Sequence, residues 1–185
     1  MKKYFFAIVL GILALLFSIS VDCVAQSLQG RRGMMDKSDD VVLQQLIKEN
    51  LPKFVQLTYK DAETGKSMEY NLFVPENYDE NKKYPLLLFI ADGSTVNKGV
   101  TYPLKQGYGA LVWATKEDQA KHPCFILVPQ YTTTTVTDHG NTSYEVEMTL
   151  RLLEFIIGQY SIDRNRLYTT GQSMGGMMSL YFNIT

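Results

Sequence analysis

Two short segments of the chain are apolar at every position, residues 86–90 and residues 124–128. A strand that is covered on both faces has this pattern, whereas a strand with one solvated face alternates apolar and polar residues. Residues 54–59 and 68–74 do approximate that alternation, and the turn-forming residues 61–65 lie between them. The pattern therefore predicts a hairpin followed by two fully buried strands.

Apolar residues at helical spacing predict two longer helices. Residues 39–50 form the first, with acidic residues in the first turn and Pro52 at the end. Residues 143–158 form the second, with Ser143 as N-cap and with apolar positions at Val146, Leu150, Leu153 and Ile157. A third helix is predicted over residues 109–121. Strands that alternate with helices in this way predict a parallel sheet with right-handed crossovers.

Residues 167–178 join a short β-prone segment to the motif Gly171-x-Ser173-x-Gly175 and then to the start of a helix. In a nucleophile elbow, a tight turn between strand and helix holds a serine hydroxyl clear of the sheet. Gly171 and Gly175 flank the bend, where a Cβ atom would collide with the neighbouring element, and Gly176 adds a third small residue. Ser173 is therefore predicted to be a catalytic nucleophile. The alternative is a glycine-rich turn with an exposed serine.

The residue after the serine carries the next part of this prediction. Met174 is the first residue of the predicted helix, so its amide points to the place where a substrate carbonyl oxygen would become negative. The positive end of the helix dipole adds favourable potential there. Met174 is thus predicted to contribute one oxyanion amide.

Residues 161–178 resemble the esterase and "predicted peptidase" group of α/β-hydrolases, akin to polyhydroxybutyrate depolymerases and feruloyl esterases. The group typically has the run Asp-x-x-Arg-(Ile/Leu)-Tyr-x-x-Gly-x-Ser-Met-Gly-Gly. Residues 70–75 and 83–90 are similar to its entry strands, so the resemblance spans about residues 66–182. It implies an α/β-hydrolase fold, a mostly parallel sheet with helices on both faces, and a serine hydrolase of carboxylic esters that uses no cofactor.

The resemblance also implies a second oxyanion amide in the loop after Ile90. Relatives usually have His-Gly in this loop, whereas this chain has Asp92-Gly93. The matching donor is expected to be the amide of Ser94. We interpret Asp92 as a residue that caps the loop.

In α/β-hydrolases the acid and the histidine of the triad follow the serine in sequence. No Asp, Glu or His follows Ser173 in this chain. We therefore interpret residues 53–185 as the N-terminal part of a hydrolase domain, truncated after the elbow and inactive as a fragment. His139 precedes the serine and is expected at the surface or the rim of a cleft. Tyr131 and the threonines near it are expected to line that cleft, in a long irregular loop.

Residues 1–25 have the features of a signal peptide: two lysines, an apolar run, and small residues before the predicted cleavage after Ala25. A membrane anchor is one alternative, and a lipoprotein with lipid on Cys23 is another. Residues 26–52 are interpreted as a leader and a packing helix. After cleavage Cys124 is the remaining cysteine, and its apolar context predicts a buried, unreactive side chain.

The formal net charge is −1, and the chain has no block of basic residues and no metal-ligand cluster. These features argue against nucleic acids and metal cofactors as partners, and nothing beyond the signal peptide suggests a membrane. A secreted or periplasmic hydrolase acting on a small-molecule or polymeric ester is the leading hypothesis. The alternatives are a serine peptidase of the same fold and a binding module on a scaffold that has lost catalysis. The oligomeric state is left open.

Overall fold

The fully apolar segments form the centre of a five-stranded sheet in the computed structural model, which describes residues 37–184. The strands are β1 Val55–Lys60, β2 Ser67–Phe73, β3 Tyr84–Ile90, β4 Phe125–Pro129 and β5 Ile162–Gly171. Residues 1–36 lie outside the described residues, so the signal peptide, its alternatives and the leader stay predictions.

The sheet has the strand order β1-β2-β4-β3-β5. Strand β3 pairs in parallel with β4 on one side and with β5 on the other. The hairpin of β1 and β2 joins the sheet antiparallel to β4. The carboxyl ends of β3, β4 and β5 therefore meet at one edge, where open α/β sheets bind their ligands.

Helices cover both faces of the sheet. They are α1 Val41–Asn50, α2 Tyr102–Lys105, α3 Lys116–Lys121, α4 Tyr144–Gln159 and α5 Met174–Ile184. One core lies beneath α4 and α5 and includes Leu88, Leu127 and Leu152. The other lies beneath α1 and α2 and includes Phe89, Ile126 and Leu104. Successive strand residues alternate between the two cores, which explains why β3 and β4 are apolar throughout. The predicted α/β architecture is confirmed.

The single helix predicted over residues 109–121 is wrong. A 3-10 turn at Val112–Ala114 comes first, and α3 begins only after Thr115. The backbone of Thr115 is extended (φ −66°, ψ 151°), and its hydroxyl accepts a hydrogen bond from the amide of Asp118. A capping residue inside the apolar pattern thus divides the segment.

The turn-forming residues 163–166 lie inside β5. Tyr84 pairs with Ile162 and Leu86 with Leu167, so β5 contains an irregular insertion opposite Pro85. The turn chemistry is still present, because the carboxylate of Asp163 accepts a hydrogen bond from the amide of Asn165.

Helix α4 is capped by Ser143 as predicted, and Val146 and Ile157 are buried as predicted, but the rest of its buried face differs from the prediction. Leu152 and Ile156 are buried, whereas Leu150 and Leu153 are only half-buried. Two polar side chains on the same helix, Glu145 and Thr149, are also buried. No helix within residues 37–184 has the length and hydropathy needed to cross a bilayer.

Candidate active site

The turn after β5 is held against the end of β3. Gly171 pairs with Ile90 at the last position of the β3–β5 ladder, and the amide of Gln172 donates a 3.3 Å hydrogen bond to the carbonyl of Ile90. Helix α5 begins two residues later, at Met174. The strand, the turn and the helix thus form the arrangement of a nucleophile elbow.

The two flanking glycines are sterically required. A Cβ atom on Gly175 would lie 1.9 Å from the carbonyl oxygen of Ile90, and one on Gly171 would lie 2.5 Å from that same oxygen. A Cβ on Gly176 would meet nothing closer than 3.6 Å, which is ordinary van der Waals contact. The backbone approach therefore excludes side chains at Gly171 and Gly175 and accommodates one at Gly176.

Ser173 has the left-handed backbone conformation expected of an elbow nucleophile. Its φ is 52°, in a region that non-glycine residues adopt only under external constraint. The residue is exposed, although its neighbours Met174 and Gly175 are buried. The turn therefore presents the serine to solvent at the edge where the parallel strands end.

Met174 presents its backbone amide at the start of α5. Within residues 37–184 this amide has no hydrogen-bond acceptor, as expected for the first residue of a helix. Its side chain is buried. The Sδ atom accepts a 3.4 Å hydrogen bond from the amide of Thr135, and it would lie 3.9 Å from a Cβ atom placed on Gly93.

The loop after β3 engages the amide of Ser94, the expected second oxyanion donor, in a hydrogen bond within the loop. Gly93–Thr95 is a 3-10 turn that Asp92 caps, with a 2.7 Å hydrogen bond from the amide of Ser94 to the Asp92 carboxylate. The amide of Thr95 donates to the carbonyl of Asp92 at 3.2 Å. Among the described residues, only the amide of Gly93 in this turn lacks an acceptor. The capping interpretation of Asp92 agrees with these contacts.

The loop between β4 and α4 contacts both candidate oxyanion segments. The side-chain amide of Gln130 donates to the carbonyl of Thr95, and the amide of Asn97 donates to the carbonyl of Tyr131, at 2.9 and 2.8 Å. The contact between Thr135 and Met174 reaches the elbow from the other side. This loop therefore contacts both segments that carry the free amides.

Tyr131 does not line a cleft as expected. Its side chain is fully buried, and its hydroxyl lies 3.2 Å from the hydroxyl of Thr149. Burial raises the pKa of this phenol well above its usual range. The loop is also more regular than predicted, since Val136 and Thr142 form an isolated antiparallel bridge around a tight turn.

The two histidines of the chain lie away from the elbow's hydrogen bonds. His139 is exposed in the turn between Val136 and Thr142, in agreement with a surface position. His122 follows α3 and lies 3.5 Å from the carboxylate of Asp118. No hydrogen bond joins Ser173 to either one in the described part of the chain. Cys124 is buried, and burial raises its thiol pKa to about 11, so it is not a nucleophile at neutral pH.

A family model described as "Putative esterase" matches residues 61–185, which is more than half of the chain. The chain belongs to the Esterase family. The predicted resemblance to α/β-hydrolase esterases is thereby confirmed. No curated protein matches the chain in sequence.

Solved structures of esterases share the fold of this Esterase-family chain. A thermostable esterase is 32% identical, with a TM-score of 0.63 over 70% of this chain and 36% of its own. A CE1 ferulic acid esterase from the anaerobic fungus Anaeromyces mucronatus is 23% identical, with a TM-score of 0.50 over 70% of this chain and 53% of its own. The latter supports the fold alone. The chain spans about a third to a half of the length of these structures.

Two polar residues of the site were not singled out from the sequence. Gln130 directly follows a buried strand, and this position at the carboxyl end of a parallel strand is the signal that could have identified it. In the sequence, Glu145 is one acidic residue near a predicted helix N-terminus, which is a common position for such a residue. Its burial depends on the β4–α4 loop folding back over it, which no local pattern indicates.

Proposed function

We propose that this Esterase-family chain carries the nucleophile and the oxyanion amides of a secreted serine esterase. The observation that supports this most directly is the conformation of Ser173, an exposed serine with φ 52° on a turn whose glycines admit no side chain. Backbone strain of this kind persists only where the surrounding structure imposes it, and it concentrates at active sites.

In the proposed reaction, the hydroxyl oxygen of Ser173 attacks the carbonyl carbon of the ester while its proton passes to a general base. The carbonyl oxygen becomes an oxyanion, which the amides of Met174 and Gly93 stabilise. Collapse of this intermediate expels the alcohol, which takes up the proton, and water then releases the acid from the serine. We assign Gly93 in place of Ser94 because the Ser94 amide is already bonded to Asp92.

The base and its acidic partner follow the serine in α/β-hydrolases. Neither is assigned here to a residue of this chain. The proposed substrates are carboxylic esters, and phenolic esters are the first to test because one related esterase has been solved in complex with ferulic acid.

The test is Ser173→Ala in the naturally produced protein, which is expressed with its own predicted signal peptide and recovered outside the cytoplasm. We expect turnover of a nitrophenyl acetate or a feruloyl ester to fall by about 10⁴-fold or more, because the attacking oxygen is lost. Far-ultraviolet circular dichroism should not change. The mass of the recovered protein shows whether cleavage occurs after Ala25.

Ser67→Ala is the matched control, since Ser67 is also exposed and lies at the start of β2. It should retain wild-type turnover. If Ser173→Ala retained it as well, the elbow would be a structural turn. If the wild-type protein cleaved peptides but not esters, the peptidase alternative would replace the proposal, and a folded protein with neither activity would favour a binding module.

A further inference from the structure

Glu145 is a buried carboxylate in the first turn of α4, on the side of the β4–α4 loop. Its exposed fraction is 1%, and no Lys, Arg or His within residues 37–184 pairs with it. A buried charge without a cation requires several hydrogen-bond donors to replace its hydration. The identity of those donors indicates what the residue holds in place.

Four donors from two consecutive threonines surround the carboxylate. The amide and the hydroxyl of Thr132 lie at 3.0 and 2.9 Å from Oε1. The amide and the hydroxyl of Thr133 lie at 2.9 and 3.0 Å from Oε2. The N-terminal position of Glu145 in α4 adds the favourable potential of the helix dipole. Glu145 therefore clamps the start of the β4–α4 loop onto the helix.

The clamped loop is the one that braces both candidate oxyanion amides. On one side of Thr132–Thr133 in sequence, Gln130 and Tyr131 hold the segment that includes Gly93. On the other side, Thr135 contacts the side chain of Met174. A small displacement of this loop would move the supports of both amides at once.

We propose that Glu145 is a positioning residue for the oxyanion site of this esterase, acting through Thr132 and Thr133 on the amides of Gly93 and Met174. This inference rests on the proposed function. Stabilisation of an oxyanion requires donors within a few tenths of an ångström of the correct place before the reaction begins. Loosening the clamp should therefore reduce the rate of the chemical step more than the binding of the substrate.

The test replaces Glu145 with Gln, which has the same shape. Its carbonyl oxygen can accept hydrogen bonds from Thr132 and Thr133, but its NH2 group cannot. We expect kcat for a nitrophenyl ester to fall about 10-fold or more, with KM within about twofold of wild type, because only the transition state uses the oxyanion amides. Amide hydrogen exchange at Thr132, Thr133 and Thr135 should become faster.

Glu147→Gln is the matched control, because it removes the same charge from the same helical turn and its side chain is exposed. This variant should change neither kcat nor the rates of amide hydrogen exchange at Thr132, Thr133 and Thr135. The double variant Thr132→Val with Thr133→Val removes two of the four donors and should also lower kcat. The double variant Thr132→Ser with Thr133→Ser keeps both hydroxyls and should have the kcat of the wild type. These variants decide the question if Glu145→Gln does not fold.

The proposal is overturned if the wild-type protein is an active serine esterase and the loosened variants keep its kcat, or if their KM rises while kcat is constant. A wild-type protein without turnover that depends on Ser173 would refute the proposed function itself. In that case the exchange measurement reports only whether Glu145 holds the loop, so the two failures are distinguishable.

Discussion

Ser173 and Asn97 are the two non-glycine residues with positive φ within residues 37–184, at 52° and 57°. Both lie at the same edge of the sheet, one in the elbow and one just after the Gly93–Thr95 turn. Each has a neighbouring backbone hydrogen bond that holds it: the amide of Gln172 donates to Ile90, and that of Asn97 donates to Tyr131. Strained residues thus coincide with the two segments that would form the oxyanion site.

Substitutions at Gly175 and Gly176 test the steric argument at the residue scale. Gly175→Ala should destabilise the protein by about 3 kcal/mol and lower turnover at least about 100-fold, because its Cβ would overlap the Ile90 carbonyl and displace the elbow. Gly176→Ala should leave turnover unchanged and should be neutral or stabilising by up to about 1 kcal/mol, since Ala favours the helix.

Urea unfolding and ester hydrolysis of both variants provide the measurement. Equal stability of the two variants would show that the backbone approach between β3 and α5 is looser than the structure indicates.

At this scale, the sequence was most informative where a motif fixes the backbone, and less so where a capping hydrogen bond competes with the predicted role of an amide. The spacing of Gly171, Ser173 and Gly175 is sufficient for the elbow, because strand and helix must approach within that short stretch. We propose Gly93 in place of Ser94 because Asp92 forms a cap with the Ser94 amide. A carboxylate two residues before an amide is a local capping signal, and it outweighed the analogy with relatives.

At the scale of elements, the β1–β2 hairpin is joined to α4 by one buried carboxylate. Asp61 directly follows the hairpin's first strand, is inaccessible to solvent, and forms a bidentate pair with Arg151 at 2.7 and 2.9 Å. Arg151 also contacts Glu63 at 2.9 Å. The hydrogen bonds from Arg151 hold the pKa of Asp61 well below its usual range.

A lowered folded-state pKa means that Asp61 stabilises the protein above its unfolded-state value of about 3.9, and that this stability is lost as the pH falls through the folded-state pKa. Asp61→Asn should therefore destabilise the protein most at neutral pH. Its deficit relative to wild type should shrink as the pH falls below about 4. Urea unfolding at a series of pH values measures this difference.

Glu154→Gln is the control, because Glu154 also forms a bidentate pair, with Arg164, but both side chains are mostly exposed. Exposed pairs contribute little, so this variant should be close to wild type at every pH. A constant deficit of Asp61→Asn across the series would show that its ionisation is not linked to folding.

Elements were predicted correctly where the local pattern of apolar and polar residues is sufficient to indicate a strand. The apolar runs of β3 and β4 and the alternation of β1 and β2 place these strands within two residues of their observed limits. Residues 109–121 and the position of Tyr131 were predicted wrongly because side-chain hydrogen bonds and burial decide their structure. Thr115 starts a new helix, and Thr132 and Thr133 wrap around a carboxylate that follows them by a dozen residues.

At the scale of the whole molecule, the described residues have an α/β-hydrolase fold and include the proposed nucleophile Ser173. The sheet places the ends of β3, β4 and β5 side by side, and each is followed by a segment of the site. The fold class was predictable because buried parallel strands and crossover helices have distinct periodicities. The contacts among the segments that follow β3, β4 and β5 were not predictable from the sequence. They depend on hydrogen bonds, such as that from Gln130 to Thr95, that only the assembled sheet creates.

The pairing of Ile90 with Gly171 should be a late step in folding, because it joins segments that are distant in sequence and closing such a loop costs entropy. Ser173 should become reactive only when that pairing is complete. Trp113, the single tryptophan, lies in a 3-10 turn whose contact with Gln119 is local. During refolding, tryptophan fluorescence should therefore recover before Ser173 reacts with a phosphonate ester. Simultaneous recovery in stopped-flow measurements would mean that the elbow forms with the first structure to appear.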